Sequence, residues 1–252
     1  MSGQPLDSIT EYCDQRLNTG LIADFPGAYN GLQFANRGQI TKIGAAVDAG
    51  LIPFQKAAQA GVNLLLVHHG LFWSESVPVT GNIHARYKTL IEHDIAVYGA
   101  HLPLDAHPEL GNNAQLARLL QLPVVDWFLE YQGNPMAALC RHSGSRADLA
   151  RALQEQFPHI FAIEFGSTHP KRVAILTGSG RSAIPHLKSV GADTLITGEL
   201  RQENFNTAQE LGLNLYACGH YATEVFGVKA LAAELAEKFD LPWEFIPTEC
   251  PL

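Results

Sequence analysis

Four of the eleven histidines in this 252-residue chain stand where short apolar runs give way to glycine or acidic residues. His68-His69 follows residues 64–67 (LLLV) and precedes Gly70. Inside a strand, neighbouring side chains point to opposite faces. At a strand end, where glycine lets the backbone turn, both rings can reach one cleft and hold two adjacent ions. The plainer alternative is a core histidine beside a solvent-facing one. His220 and Glu224 stand at the N-terminal end of a helical segment, residues 221–239, whose Val225, Val228, Leu231, Leu235 and Phe239 recur at helical spacing. Four residues apart on a helix, they share one face, a spacing that suits a common metal or a plain surface pair. His101 and Asp105 repeat the four-residue spacing, with Pro103 restricting any helix there to its first turn. Asp105 is then a ligand or a helix N-cap, and His101 a ligand, an orienting group or a proton shuttle. Together, these four histidines and two acids at strand ends are hard to explain without a metal.

Imidazole and carboxylate without thiolate suit Zn, Mn, Fe, Co or Ni rather than Ca or Mg. Two such divalent ions per subunit, about 3.5–4 Å apart, would activate a water and stabilise a displaced oxyanion, which makes hydrolysis the reaction class with the best physical motive. Glu199, in Thr197-Gly198-Glu199, is a general base or a salt-bridge partner of Arg201. Weaker candidates are Gly178–Ser182 (GSGRS), which lacks dinucleotide or P-loop spacing, Cys218, which reads as a small buried residue, and Trp73, which walls a pocket or joins the core.

The elements that must position these residues repeat. Residues 42–70 lie over residues 172–200 without a gap: Gly50 meets Gly180, Gly61 meets Gly191, and His69 meets Glu199. Each copy predicts a strand, a glycine turn, a helix of about ten residues and a second strand, the βαβ unit. Both continue to another strand, ending at His101 in one copy and His220 in the other, so the sites fall at strand C-termini. Ahead of them, residues 6–17 read as an amphipathic helix with Asp7 or Ser8 near its N-cap. Residues 126–170 predict a strand, a helix capped by Ser145, and a strand, a stretch that is structural or shapes a pocket or an oligomer contact. The fold class is α/β, with duplicated βαβ units in two fused lobes whose mixed sheets are covered by helices. Residues 1–125 form the first lobe and 126–252 the second, with the metal site between them.

Net charge is −8 and the 17 basic residues are scattered. That argues against nucleic acid, whose binding needs clustered cations. The four cysteines lie far apart, as befits reduced thiols in the cytoplasm. No secretory leader or membrane-length apolar run is expected.

In order, VHHGLFW, GAHLPLDAHPELGNNAQLA, ITGE and CGHYATE resemble the Ngg-interacting-factor-three-like family, often labelled GTP cyclohydrolase 1 type 2 homologue, in its short bacterial YbgI type. The resemblance spans nearly the whole chain and is weakest over residues 126–170. It implies a duplicated α/β fold, a ring-shaped homohexamer and dinuclear metal sites facing an internal cavity. The family's ligands fall on His68, His69, Asp105, His220 and Glu224, with His101 close by. Many relatives carry proline at the position of Gly70. The functions left open are a metal-dependent hydrolase of a small nucleotide-like molecule, with His101 and Glu199 as catalytic groups, and a non-enzymatic metal carrier, insertion factor or scaffold.

Overall fold

The computed structural model describes residues 3–73 and 77–252. Two compact units emerge: residues 1–110 with 227–249, and residues 111–226 with 250–252. Along the first run lie β1 (Gln4–Pro5), α1 (Leu6–Leu17), β2 (Gly31–Phe34), β3 (Gln39–Ile40), β4 (Ile43–Asp48), α2 (Leu51–Gln59), β5 (Leu64–His69), α3 (Gly81–Glu92), β6 (Ala96–Gly99) and α4 (Leu102–Asp105). The second run carries α5 (Asn112–Leu119), β7 (Val124–Tyr131), β8 (Asn134–Arg141), α6 (Arg146–Gln156), β9 (Phe161–Glu164), β10 (Arg172–Leu176), β11 (Thr194–Thr197), α7 (Glu203–Leu211) and β12 (Asn214–Ala217). The boundary at residues 226/227 falls within α8 (His220–Phe239), and β13 (Trp243–Phe245) follows.

In the first unit, a five-stranded sheet has the order β13-β4-β5-β6-β2, with β2 antiparallel to β6 and the other pairings parallel. Side chains alternate between its faces. Leu64, Leu66, Ala96 and Tyr98 pack with Ile9 and Cys13 of α1 and Leu231 and Leu235 of α8. Leu65, Val67 and Val97 pack with Phe54 and Leu90.

The second unit has a six-stranded sheet, β7-β8-β10-β11-β12-β9. Strands β10, β11 and β12 are parallel, and β8 and β9 flank them antiparallel. Val173, Ile175, Ile196 and Tyr216 meet Leu116, Leu149 and Leu153 on one face, while Ala174, Leu195 and Leu215 meet Ile184, Leu187 and Ala208 on the other. Both sheets are thus mixed and covered by helices, as the sequence predicts.

The duplication appears in the strand register. Ile43 pairs with Leu64, and their overlaid counterparts Val173 and Thr194 pair likewise. The repeat also reaches one strand further back than the sequence overlay, since β2 and β9 each precede their copy and pair antiparallel with its third strand.

Several expectations need correction. The first unit ends near residue 110 rather than 125, and it recovers residues 227–249 because β13 pairs with β4 and Val228, Leu231 and Leu235 enter its core. Helix α1 has the predicted bounds, but its N-cap is Pro5: β1 runs straight into it, and the Leu6 N–H donates to the Gly38 carbonyl at 3.0 Å. The helix expected in the second copy is replaced by short 3₁₀ turns at Gly180–His186 and Lys188–Val190. Pro185 within the first lacks the N–H an α-helix needs. Helix α6 keeps its predicted cap, with Ser145 and Asp148 bonding each other's backbone N–H in a capping box.

Candidate metal centre

In the first unit, β5 ends on His68 and His69, and His101 follows β6 as the residue that enters α4. The His68 ring centroid lies 5.0 Å from that of His69 and 5.0 Å from that of His101, and the last two are 5.7 Å apart. A nitrogen from each of the three rings falls within 4.8 Å of the others, so the set can hold a metal ion. Asp105 is buried at the end of α4, not at its N-cap, and its Oδ2 is 3.4 Å from His68 Nε2. Trp73 stands edge-on to His69 and His101, with centroids at 5.4 and 4.7 Å, and anchors its indole N–H on the Gly70 carbonyl. It walls the cluster instead of joining the core.

Each of these imidazoles meets an acceptor at Nδ1: the Ala100 carbonyl for His68 (2.9 Å), Asp48 for His69 (2.8 Å) and Asp24 for His101 (2.8 Å). An acceptor there holds the proton on Nδ1 and leaves the Nε2 lone pair for a cation or a proton, the arrangement that metal-ligating histidines share. The donor chemistry therefore fits the borderline divalent ions expected from the sequence. Alanine at Asp48 is expected to weaken metal binding roughly 10–100-fold, measured by competition with a chelating dye.

Asp24 and Asp48 escaped the sequence reading. Asp48 had a signal, since it ends β4 and pairs in register with His69. Asp24 had none: it sits in a loop, 77 residues from its partner His101.

The second unit carries its own set. Glu224 lies one turn after His220 on α8, its side chain only 4% exposed, with Oε1 3.3 Å from His220 Nε2. Glu199 Oε2 is 3.4 Å from His220 Nδ1, so Glu199 pairs with this histidine rather than with Arg201. The Glu224 hydrogen bond leads, with Glu199 adding to it against the cost of burial, and together they raise the His220 pKa to about 9. Gly178, at φ +60°, permits the close approach of Glu224, because a Cβ there would collide with Oε1. The Gly178 and Gly180 amides donate to Thr223 and Thr197 hydroxyls at 3.0 and 2.9 Å, so GSGRS serves as a tied turn and not as a phosphate cradle. Cys218 is buried, which pushes its thiol up to about 12 and out of the ligand chemistry.

His101 and His220 are not equivalent positions. Leu64 pairs with Ala96 and its counterpart Thr194 with Asn214, which sets His101 against Gly219 and His220 one residue later. Among the sequence candidates, the structure gathers His68, His69, His101 and Asp105 within the first unit, and His220, Glu224 and Glu199 within the second.

A family model described as Duf34/NIF3 (NGG1p interacting factor 3) matches residues 5–251. A Deinococcus radiodurans protein named GTP cyclohydrolase 1 type 2 homolog is 41% identical over 244 residues, covering 95% of this chain and 92% of its own. The crystal structure of TTHA1606 from Thermus thermophilus superposes with a TM-score of 0.89 at 38% identity, over 99% of this chain and 100% of that one. The solved structure of protein ybgI, of unknown function, gives 0.91 at 36% identity over the same shares. Among the described residues no helix is long and apolar enough to cross a membrane.

Proposed function

The chain belongs to the Duf34/NIF3 family, and from that premise we propose that it is a metal-dependent hydrolase of a small nucleotide-like molecule, working through a dinuclear centre with ligands His68, His69, Asp105, His220 and Glu224. The supporting observation is the set of three imidazoles whose Nδ1 atoms are all engaged. Cyclohydrolase is the name its relatives carry, and GTP belongs on the panel of test substrates for that reason alone.

Bound divalent ions would supply Lewis acidity and an activated water. The protein does the rest. The Ala100 carbonyl and Asp48 fix the tautomers of His68 and His69, so both rings present lone pairs without reorganising. Asp24 holds the proton on Nδ1 of His101, which frees Nε2 to take a proton during turnover and return it to a leaving group. Glu199, half exposed beside His220, is the second group placed to accept a proton. Trp73 keeps bulk water from the imidazole faces.

The test is metal analysis of the purified protein, followed by turnover of a phosphodiester and nucleotide panel. Two ions per chain are expected, with turnover lost by about 10³-fold or more in His69→Ala and in Glu224→Ala. Unchanged metal content and turnover in both variants would overturn the reading. Tight, exchangeable metal with no turnover on any substrate would instead make the protein a metal carrier or insertion factor. The proposed assembly is the ring-shaped homohexamer implied by the resemblance, and light scattering should return six times the 27.4 kDa chain mass.

A further inference from the structure

The second unit contains a cleft of about 740 Å³, lined by the α6–β9 connection, the end of β11 and the first turn of α8. That volume is usual for small-molecule sites. The connection contributes Phe157, and the first residue of β9 contributes Phe161. Phe157 is buried and held edge-on by Phe226, with ring centroids 6.3 Å apart, whereas Phe161 is 64% exposed. Gly198, Gly219 and Ala222 leave room in the lining, which Pro158, His159 and Ile160 of the connection and the C-terminal Cys250, Pro251 and Leu252 complete. Gly219 has φ +96°, and a Cβ on it would stand 3.2 Å from that of Ala222, so its bareness preserves room in the lining. Glu199 brings a carboxylate into the cleft, and no lysine or arginine lines it among the described residues.

We propose that this cleft binds a planar nitrogen heterocycle that presents paired N–H donors to Glu199 and lays its face on Phe161. This rests on the hydrolase reading above, and names the part of the substrate that the second unit holds. Three features select that class. An ionised carboxylate only accepts hydrogen bonds, so it chooses donors and repels acceptors. Aromatic and glycine surfaces fit a flat ring. With His159 as its one basic side chain and no lysine or arginine among the described residues, the lining lacks the forked or point-charge donors that hold a phosphate. Glu199 also faces His220 through Oε2, so a ring bonded to its other oxygen is set beside that histidine. The α6–β9 connection, which carries no reactive constellation, gains a role as a wall of this cleft.

Calorimetric titration of the full chain as purified, with 2-aminobenzimidazole, indole and benzoate, tests the proposal. The first offers paired N–H donors on a flat ring, the second a similar ring with one N–H, and the third a flat anion. Saturable binding of 2-aminobenzimidazole is expected, with indole about tenfold weaker and benzoate unbound. Glu199→Gln should weaken 2-aminobenzimidazole about tenfold, and Phe161→Ser, at an exposed position, severalfold. Circular dichroism verifies that both variants are folded. Equal affinity for the three probes, or wild-type affinity in both variants, overturns the proposal. Probe binding without turnover of the nucleotide panel would remove the hydrolase reading and leave the cleft standing; turnover without probe binding would do the reverse.

Discussion

Asp24→Ala is expected to lower stability at pH 7 by about 3–5 kcal/mol, because it deletes one member of a buried, charged hydrogen-bond group. The Asp24 side chain is 4% exposed. It accepts from the Phe25 N–H at 2.6 Å, Asn30 Nδ2 at 2.8 Å, His101 Nδ1 at 2.8 Å and the Leu102 N–H at 3.0 Å. Alanine leaves all four donors facing a void. Burial by itself pushes the Asp24 carboxyl up, but the hydrogen bond and charge of His101, with Asn30 and Phe25 behind them, outweigh it and hold the pKa at about 2. A carboxyl depressed on folding stabilises the protein above its unfolded value of 3.8. That contribution, about 2 kcal/mol, is lost as pH falls through about 2. Urea denaturation of wild type and Asp24→Asn between pH 2 and 7 measures it: the stability gap between the two should narrow toward acid. A gap that stays constant with pH would refute the assignment.

Gly198→Ala should cost about 3 kcal/mol, at the upper end of the range for overpacking. A Cβ at this position would lie 2.6 Å from the Gly178 carbonyl oxygen, 2.7 Å from His220 Cα and 2.8 Å from Thr223 Oγ1. Two of these are backbone atoms and cannot swing aside. The Gly198 and Glu199 amides both donate to the Gly178 carbonyl, at 2.9 and 3.1 Å, so the clash also pulls on the turn that seats Glu199. Gly20→Ala is the control, since nothing lies within 4 Å of its would-be Cβ. Thermal melts of the two variants should separate clearly; coincident melts would show that the turn relaxes without cost.

What the sequence discloses follows the range of the interactions involved. The bounds of α1, the Ser145 cap of α6 and the gapless overlay of the two copies depend on spacings of a few residues or on identical register, and all are present in the folded chain. The His-to-acid pairs are visible for the same reason: His220 and Glu224 meet across one helical turn. Asp24 is hidden because its partner comes from another part of the chain and no local pattern links them. The broken helix at residues 180–190 has a local signal in Pro185, which an overlay on the intact first copy does not take into account. The division of α8 between units is not legible, because Phe226 and Val228 are both apolar residues of one unbroken helix, and only tertiary packing assigns Phe226 to one core and Val228 to another.

The return of residues 227–249 to the first unit bears on how the protein is made. Translation proceeds from the N-terminus, and domains fold as they emerge where their parts are complete. Strand β13 is the edge partner of β4, so the first sheet to leave the ribosome is the last to be finished. It waits with the β4 edge open while the 116 residues numbered 111–226 are made, and these already include every strand of the second sheet. An open edge of that kind is where unwanted strand pairing begins, which makes this interval the vulnerable one in the life of the chain.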